Sequence, residues 1–337
     1  MYADAEQVTR FRRSLPTAGL LRTLPRVTPA PRGFRADESP VVVVEDDGGF
    51  AVGGNKVRQL DLVLGATEDN ASALVAAAGP HSNLLRVLAA AAASLGIEAH
   101  LVLRGVPPAE LRGNQILCEL VGAQLRWIDT DDPFGERQDE AVHSLARSLT
   151  SQGHRVRIVD VRGEDAAKCA LATTGLLDDI ESKLPWVPTH VFLAAGAGGT
   201  TAGLLLAIAA RGWNTTVVAV SANIQAPHLR KRILSIATNA CGLCGVSSNL
   251  LDPAKLEVTD AFVGGGYEVP SAEALQAIKW TGKTMGIFLD PTYTGKSMAA
   301  LLSRGEQGRY AYIHTGGLPS LFNHRWKAGG HITTNGH

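Results

Sequence analysis

One lysine, Lys56, stands at an unusual place, in the stretch "FAVGGNKVRQLDLVLG" that runs from Phe50 to Gly65. Two glycines and an asparagine precede the lysine, and the apolar periodicity after it predicts a helix. Lysines usually lie on solvated faces. Either this residue caps a turn, or the glycine backbone presents its amine to a ligand. A neutral lysine amine is a nucleophile and a base, which makes Lys56 the first candidate for chemistry.

A glycine-rich loop is the second candidate. The sequence "FLAAGAGGTTAGLLLAIA", residues 192–209, predicts a strand, a loop and a helix. Free N–H groups and the helix dipole at such a junction can bind a phosphate. The loop lacks the Gly-Lys-Ser/Thr of a Walker loop and a complete Gly-x-Gly-x-x-Gly fingerprint, so phosphate binding and an ordinary turn both stay open. The candidate residues are Gly196, Ala197, Gly198, Gly199, Thr200 and Thr201.

A third strand-to-helix junction lies in "AAAGPHSNLLR", residues 76–86. Ser82 or Asn83 starts the Ala-rich helix that follows, and serine is a common N-cap. The alternative is that the serine hydroxyl and the exposed N–H groups hold the carboxylate of a small ligand. For an arbitrary Ser-Asn pair, capping is the more frequent reason.

Two more junctions complete the set. In "GIFLDPTYTGKSMAALL", residues 286–302, an apolar run indicates a strand up to Asp290, and Tyr293 and Thr294 precede a helix. Such a tyrosine is either a partly exposed aromatic residue or a proton donor. In "YAYIHTGGLPSLF", residues 310–322, the last strand ends at Thr315 and two glycines, where a ligand can approach the backbone.

The elements that position these junctions alternate between β-rich and Ala-rich helical runs, which indicates parallel β-α-β units with helices on both faces. The predicted strands are Pro40–Glu45, Ala73–Ala78, Ala99–Leu103, Gln124–Ile128, Val156–Val159, His190–Ala194, Thr216–Val220 and Ala311–His314. We expect two open, mostly parallel twisted sheets, with ligands beyond the carboxyl ends of the strands or between domains. A small α/β domain of residues 67–160 is inserted in a large discontinuous domain of residues 1–66 and 161–337, whose last residues, 327–337, form a loose tail.

The composition narrows the classes of function. The 337 residues carry 32 basic and 32 acidic side chains, which gives no sign of a nucleic-acid or anionic-membrane partner. No apolar run reaches the roughly 18 residues of a membrane helix, and the first residues lack a secretory signal, so we expect a cytoplasmic protein. The histidines show no metal-ligand clustering. Cys241 and Cys244 form a Cys-x-x-Cys without a second ligand pair, which favours two small packing residues over a redox pair or half a zinc site.

Glycine-rich strand ends, a lysine among glycines and the lack of a nucleotide fingerprint together suggest pyridoxal phosphate (PLP). Five segments then resemble the D-cysteine desulfhydrase/1-aminocyclopropane-1-carboxylate (ACC) deaminase family of PLP enzymes, which have the tryptophan-synthase β-type fold. The segments are "GGNKVRQLDLVL", "SNLLRVLAAAAASLGI", "AGAGGTTAGLLL", "LDPTYTGKSMAAL" and "HTGGLPSLF". They occur in the order that the family has and span residues 53–322.

The resemblance implies a role for each candidate around the cofactor. Lys56 matches the Schiff-base lysine, which also serves as acid and base, and the loop from Gly196 to Thr201 would hold the phosphate. Asn55 or Asn83 would hydrogen-bond the phenolic oxygen of the cofactor. A homodimer is implied as well.

The resemblance also implies a substrate side. Ser82 would lie near the carboxylate or Cα of a small amino acid, and Tyr293 and Tyr267, the latter in "GGGYEVPS", match the active-site tyrosines of the family. The residues assigned to substrate binding are His81, Ser82, Asn83 and Leu84.

Position 294 separates the two subgroups of the family. ACC deaminases have a glutamate after the tyrosine, which keeps the cofactor ring nitrogen protonated, whereas this chain has Thr294 and, in "HTGG", Thr315, as desulfhydrases do. A hydroxyl next to a neutral ring nitrogen gives a weaker electron sink, which favours α,β-elimination over ring opening. We therefore expect a PLP-dependent carbon–sulfur lyase that acts on D-cysteine or a related amino acid.

Other functions on the same fold stay open, because the chain departs from the family near the substrate. The family pattern Gly-Gly-x-Gln-Ser-Asn-His-x-Arg-Gln reads "AGPHSNLLRV" here, and charged residues in "DVRGEDAAKCALATTG" replace a small-residue turn. The alternatives are a β-replacement synthase, an ACC-type deaminase, and a PLP-binding regulatory protein that has lost turnover.

Overall fold

The computed structural model describes residues 3–65, 70–130, 132, 136–327 and 331–333. Over these residues, helices flank two open, mostly parallel sheets, as the sequence predicts. The α-helices are α1 (Ala3–Ser14), α2 (Asn55–Gly65), α3 (Asn83–Leu95), α4 (Asn114–Leu120), α5 (Glu136–Ser151), α6 (Ala166–Ile180), α7 (Gly199–Ala210), α8 (Ala226–Cys244), α9 (Ala272–Met285) and α10 (Thr294–Ser303). The strands are β1 (Arg26–Pro29), β2 (Val41–Glu45), β3 (Ala73–Ala78), β4 (Glu98–Arg104), β5 (Gln124–Ile128), β6 (Val156–Ile158), β7 (His190–Ala195), β8 (Thr216–Ser221), β9 (Leu256–Thr259), β10 (Tyr310–His314), β11 (Arg325–Lys327) and β12 (His331–Thr333).

The larger sheet has the strand order β1-β2-β10-β7-β8-β9. Its neighbouring strands are parallel except β1, which pairs with β2 in the antiparallel direction. Tyr310 of β10 is level with Val41 of β2 on one side and with His190 of β7 on the other. A strand such as β2, whose valines are all buried, is a continuous apolar run because it is covered on both faces.

The smaller sheet has the order β5-β4-β3-β6, and all its pairs are parallel. Its strands lie between residues 73 and 158, inside the segment that the sequence assigns to a small domain. The exact domain boundaries stay a prediction, and residues 66–69 lie outside the described part of the chain. Helix α3 crosses from β3 to β4, with Ser82 as N-cap and Gly96 in the left-handed conformation at its end.

Helices α6, α7 and α8 pack on the larger sheet and form its main core. Helix α7 is buried along almost its whole length. It lies directly against α6, since a Cβ on Gly203 would lie 2.2 Å from the carbonyl oxygen of Ala170. This close contact fixes the start of α7, and therefore the glycine loop before it.

The eight predicted strands all form, with ends that shift by at most one residue. The sequence analysis missed β1 and β9, four-residue strands at the two edges of the larger sheet. The predicted strand up to Asp290 is wrong: the chain leaves α9 through Gly286 and reaches Asp290 without strand pairing, with Phe288 exposed.

The prediction that residues 327–337 form a loose tail is also wrong in part, because β12 within this segment pairs with β11. Residues 328–330 and 334–337 of that tail lie outside the described residues. Among the described residues a bilayer-spanning helix is absent, since none combines the required length and hydropathy.

Candidate active site

A cavity of about 410 Å³ lies between the two sheets, at the carboxyl ends of their strands. The ends of β3 and β4 line one side, and the ends of β7 and β10 with the start of α2 line the other. Parallel sheets bind ligands at this edge. The candidates that line the cavity are Asn55, Lys56, Ser82, Asn83, Leu84, Gly196, Ala197, Gly198, Gly199, Thr200, Thr201, Tyr267, Tyr293 and Thr315.

Lys56 is the second residue of α2 and reaches the cavity. The helix follows Gly53 and Gly54, whose φ angles of +70° and +102° other residues rarely adopt. Gly54 packs on the backbone of Thr315, because a Cβ there would lie 2.9 Å from that carbonyl oxygen. The lysine Nζ donates to Oε1 of Gln59 at 2.7 Å. Burial lowers the pKa of Lys56, which favours the neutral, nucleophilic amine.

A chain of hydrogen bonds joins the lysine to the glycine loop. Oγ1 of Thr200 accepts from the amide of Asn55 at 2.6 Å and from the amide of Gln59 at 2.9 Å. Gln59 therefore contacts both Lys56 and the loop. The hydroxyl of Thr201 is buried and has no hydrogen-bond partner among the described residues. An unsatisfied hydroxyl at the start of a helix suits an anion such as a phosphate.

Asn83 is held at the start of α3 by two buried side chains. Its amide oxygen accepts from Asn114 at 3.0 Å and from Arg86 at 3.4 Å. Because the oxygen is used, the amide nitrogen is the group that Asn83 offers to a ligand in the cavity. Arg86 also donates to the carbonyl of Gly53 at 2.9 Å, so it ties α3 to the turn before Lys56.

Ser82 and His81 differ in what they contact. The Oγ of Ser82 accepts from the N–H of Leu84 at 3.2 Å, so this residue both caps α3 and lines the cavity. His81 is not among the lining residues, which corrects its assignment as a substrate contact. Its Nε2 lies 3.3 Å from Oε2 of Glu268. Burial lowers the pKa of His81 to about 4 and raises that of Glu268 to about 8, so both groups are neutral between these pH values.

Two tyrosines form a pair in the cavity. The hydroxyls of Tyr267 and Tyr293 are 2.5 Å apart, and their rings meet edge to face. Burial raises the pKa of both phenols above the usual value, so they stay protonated and able to donate. The loop that carries Tyr267 is held by Lys296, a buried residue of α10 whose Nζ donates to the carbonyls of Val263 at 2.7 Å and Gly266 at 2.8 Å.

Thr294 and Thr315, which the family resemblance assigns to the ring nitrogen of the cofactor, lie in different places. Thr315 lines the cavity, whereas Thr294 is fully buried and is not among the lining residues. The hydroxyl of Thr294 donates to Oδ1 of Asp290 at 2.6 Å and accepts from the N–H of Asp290 at 2.7 Å. The assignment of Thr294 to the ring is therefore corrected: its hydroxyl belongs to the turn that starts α10.

Sequence reasoning missed several residues of the site. Gln59 lies three residues after Lys56 in a predicted helix, and this spacing would have placed the two side chains next to each other. Glu268 follows the candidate Tyr267 directly in the sequence. Arg86 and Arg104 carried no such signal, because a single arginine in a helix or strand is usually a surface residue. Arg86 is buried and Arg104 lines the cavity.

The family model described as "Pyridoxal-phosphate dependent enzyme" matches residues 22–316. The chain belongs to this family. D-cysteine desulfhydrase of Salmonella choleraesuis (strain SC-B67) is 30% identical to this PLP-dependent enzyme over 294 residues, which cover 81% of this chain and 85% of the relative. D-cysteine desulfhydrase of Yersinia enterocolitica serotype O:8 is 31% identical over 292 residues, with 81% and 84% covered.

Solved structures have the same fold. The crystal structure of an ACC deaminase homologue gives a TM-score of 0.85 at 28% identity, and covers 94% of this chain and 96% of that chain. O-ureido-L-serine synthase, at 16% identity and a TM-score of 0.64 over 92% of each chain, is similar in fold alone. The resemblance that the five segments indicate is thus confirmed, and so is the predicted PLP fold.

The residues of the cavity fit the cofactor that this family uses. Lys56 supplies an amine with a lowered pKa, the unsatisfied hydroxyl of Thr201 suits the phosphate, and Asn83 offers an amide nitrogen. No group of three or more His, Cys, Asp or Glu that could hold a metal ion occurs in the described part of the chain. Cys241 and Cys244 lie buried in the last turn of α8, with free thiols.

Proposed function

We propose that this PLP-dependent enzyme is a lyase that catalyses α,β-elimination on a small amino acid with a leaving group at Cβ. The observation that carries the proposal is the position of the Lys56 amine. It lies in the cavity, and hydrogen bonds through Gln59 connect it to Thr200 of the glycine loop. With D-cysteine, the substrate for which the relatives from Salmonella choleraesuis and Yersinia enterocolitica are named, one water is consumed. The products are then pyruvate, sulfide and ammonia.

The cofactor is assigned to the strand and helix ends of the larger sheet and to Asn83 at the start of α3. When bound, PLP supplies an electron sink that acidifies the Cα proton of an amino acid. The loop from Gly196 to Thr201 would hold the phosphate through its N–H groups and hydroxyls, and the amide of Asn83 would donate to the phenolic oxygen. We assign Thr315 to the ring nitrogen, since the hydroxyl of Thr294 is used by Asp290. A hydroxyl partner leaves that nitrogen neutral, as elimination prefers.

The proton transfers are assigned to three side chains. The amine of Lys56 would hold the cofactor and, with a substrate bound, would take the proton from its Cα. The tyrosine pair delivers a proton to the leaving group, because both phenols are protonated and hydrogen-bonded to each other. The hydroxyl of Ser82 and the N–H of Asn83 at the start of α3 orient the substrate carboxylate.

The test is turnover of the purified holoenzyme with both enantiomers of cysteine and β-chloroalanine, with ACC included. We expect 2-oxo acid and ammonia from one enantiomer of the β-substituted amino acids. Lys56→Ala should lose at least about 10³-fold in kcat and lose the visible absorbance of lysine-bound cofactor, while Lys231→Ala, an exposed lysine on α8, should match wild type.

The alternatives give different products. Release of 2-oxobutanoate from ACC would show the ACC-type deaminase instead. A new amino acid formed only when a thiol or amine is added would show a replacement synthase. Bound cofactor with no spectral change for any amino acid would show a PLP-binding protein without turnover.

We also propose a cytoplasmic homodimer. The support for the compartment is that Cys118, Cys169, Cys241 and Cys244 are all free and buried, as suits a reducing environment. The support for the dimer is the family resemblance. Light scattering on the purified protein should give about twice the 35.5 kDa of one chain; a mass of one chain would contradict it.

A further inference from the structure

Arg104 is a charged residue of the cavity to which the proposed reaction gives no role. It is the last residue of β4 and lines the cavity at the end of the smaller sheet. Among the described residues its guanidinium has no hydrogen bond and no ion pair. Burial lowers the pKa of Arg104, yet an arginine stays charged at neutral pH. A charge in this position, taken partly out of water, needs a partner.

The chain leaves space for such a partner next to Arg104. A Cβ on Gly79 would lie 2.9 Å from Nη2 of Arg104 and 3.3 Å from the ring of Tyr267. Glycine at position 79 therefore allows the guanidinium to lie beside the tyrosine pair. Arg104 is thus near the groups assigned to the leaving group.

The carboxylates of this region do not neutralise Arg104. Glu268 is the carboxyl group with an electrostatic effect on it, and burial raises the pKa of Glu268 to about 8, so this group is mostly neutral at pH 7. Asp139, Asp160 and Glu164 also line the cavity, and among the described residues none of the three forms a hydrogen bond or an ion pair with Arg104.

The start of α3 already offers a site for the substrate's α-carboxylate, at the hydroxyl of Ser82 and the N–H of Asn83. Arg104 comes from a different element and lies on the side of Tyr267. We propose that Arg104 binds a second acidic group, a carboxylate or sulfonate carried by the leaving group of the substrate. This inference rests on the proposed lyase function and narrows it to a class of diacidic amino acids.

The test compares two thioethers that differ in one carboxylate, S-carboxymethylcysteine and S-methylcysteine, with the holoenzyme and the enantiomer that it turns over. Wild type should prefer the carboxymethyl compound in kcat/KM. Arg104→Gln should lose about 10- to 100-fold on that compound, the effect of one charge-assisted hydrogen-bond pair, and stay within about threefold on the methyl compound. Arg104→Lys should keep part of the preference, and Arg126→Gln, an exposed arginine on β5, should match wild type.

A binding measurement separates this inference from the function on which it rests. Calorimetry with the holoenzyme should show tighter binding of succinate than of butyrate, and Arg104→Gln should abolish the difference. If wild type released no 2-oxo acid from any amino acid but kept this difference, the lyase proposal would fail and the assignment of Arg104 would stand. Equal losses on both thioethers would place the α-carboxylate at Arg104 and overturn the inference. No loss on either compound, with equal binding of the two acids, would overturn it as well.

Discussion

The two ends of the cavity differ in how their polar groups are satisfied. At the end formed by the larger sheet, Lys56, Gln59, Thr200 and Asn55 are joined in one chain of hydrogen bonds between 2.6 and 2.9 Å. At the end formed by the smaller sheet, the guanidinium of Arg104 has no partner among the described residues. Beside that end, but outside the lining of the cavity, Oε1 of Glu268 and Nδ1 of His81 are buried without a hydrogen bond.

This difference indicates which ligand each end is built for. A buried polar group left without a partner costs about 1–3 kcal/mol, so such a group in the lining of a cavity is a candidate for contact with a ligand. The cofactor end leaves the Thr201 hydroxyl for the phosphate, and otherwise its groups are preorganised. The substrate end keeps Arg104 without a hydrogen-bond partner among the described residues, which leaves this charge to the compound that enters.

The largest effect in this comparison is expected for the tyrosine pair, which lies between the two ends. Tyr293→Phe should lower kcat by about 10²-fold, because a proton donor to the leaving group is removed. Tyr267→Phe should lower it less, since Tyr293 keeps its own hydroxyl. β-Chloroalanine needs no protonation of its leaving group, so both variants should recover on it. An equal loss with chloride and thiol leaving groups would assign the pair to orientation instead.

The second largest effect on kcat is expected from a comparison of Thr315, which lines the cavity, with Thr294, which does not. Thr315→Val should lower kcat by about 10-fold and shift the visible absorbance of the bound cofactor, because the assigned partner of the ring nitrogen is lost. Thr294→Val should leave the absorbance unchanged and destabilise the fold by about 1–3 kcal/mol, since buried Asp290 loses a hydrogen bond. The check is an absorbance spectrum beside urea unfolding. A spectral shift in Thr294→Val alone would restore the original assignment.

The threonines also show what the sequence could and could not predict. Local patterns place Lys56, the glycine loop and Thr315 correctly in the cavity, because each lies at a strand or helix end where parallel sheets bind ligands. Thr294 follows the active-site tyrosine in sequence, yet a capping interaction with Asp290, four residues earlier, takes its hydroxyl away. Such a turn depends on tertiary burial, which adjacency in the sequence does not encode.

Arg104 and Glu268 were missed for a different reason. Their roles depend on burial and on which elements meet, since Arg104 ends a strand of the smaller sheet and Glu268 lies in a loop before α9. Glu268 has a positive φ of +67°, a conformation that sequence propensity would not assign to glutamate. The strands themselves were predictable, because short apolar runs that alternate with helical segments are typical of parallel β-α-β units.

A smaller effect is expected for Lys296, which holds the loop of Tyr267 through the carbonyls of Val263 and Gly266. Lys296→Met keeps the apolar stem but leaves both carbonyls without this donor. We expect a fall in kcat of roughly 3- to 10-fold and a loss of about 1–3 kcal/mol in the free energy of unfolding. The mutation should not move the visible absorbance, because the cofactor end is untouched. An absorbance change would show that the two ends are coupled through α10.

The smallest change in activity at neutral pH is expected for Glu268→Gln, but its pH dependence tests the substrate end directly. Burial raises the pKa of Glu268 from 4.5 to about 8, so the folded state binds more protons than the unfolded state between these values. The contribution of this group to stability is therefore present below pH 4.5 and is lost as the pH rises to 8. The glutamine variant has no such proton.

Urea unfolding of the two proteins at a series of pH values measures this difference. Relative to Glu268→Gln, wild type should lose roughly 2–4 kcal/mol of unfolding free energy between pH 5 and pH 8.5. His81, whose pKa is lowered to about 4, acts in the opposite direction between pH 4 and 6.5 and contacts Glu268, so the part of the loss above pH 6.5 is the part that belongs to Glu268. Arg104 stays charged and opposes the loss as Glu268 ionises, whereas burial lowers the pKa of Lys296 to about 8, so Lys296 loses its charge over the same range. A constant difference across the pH range would mean that Glu268 is already ionised and paired with Arg104, and the two ends of the cavity would then be alike.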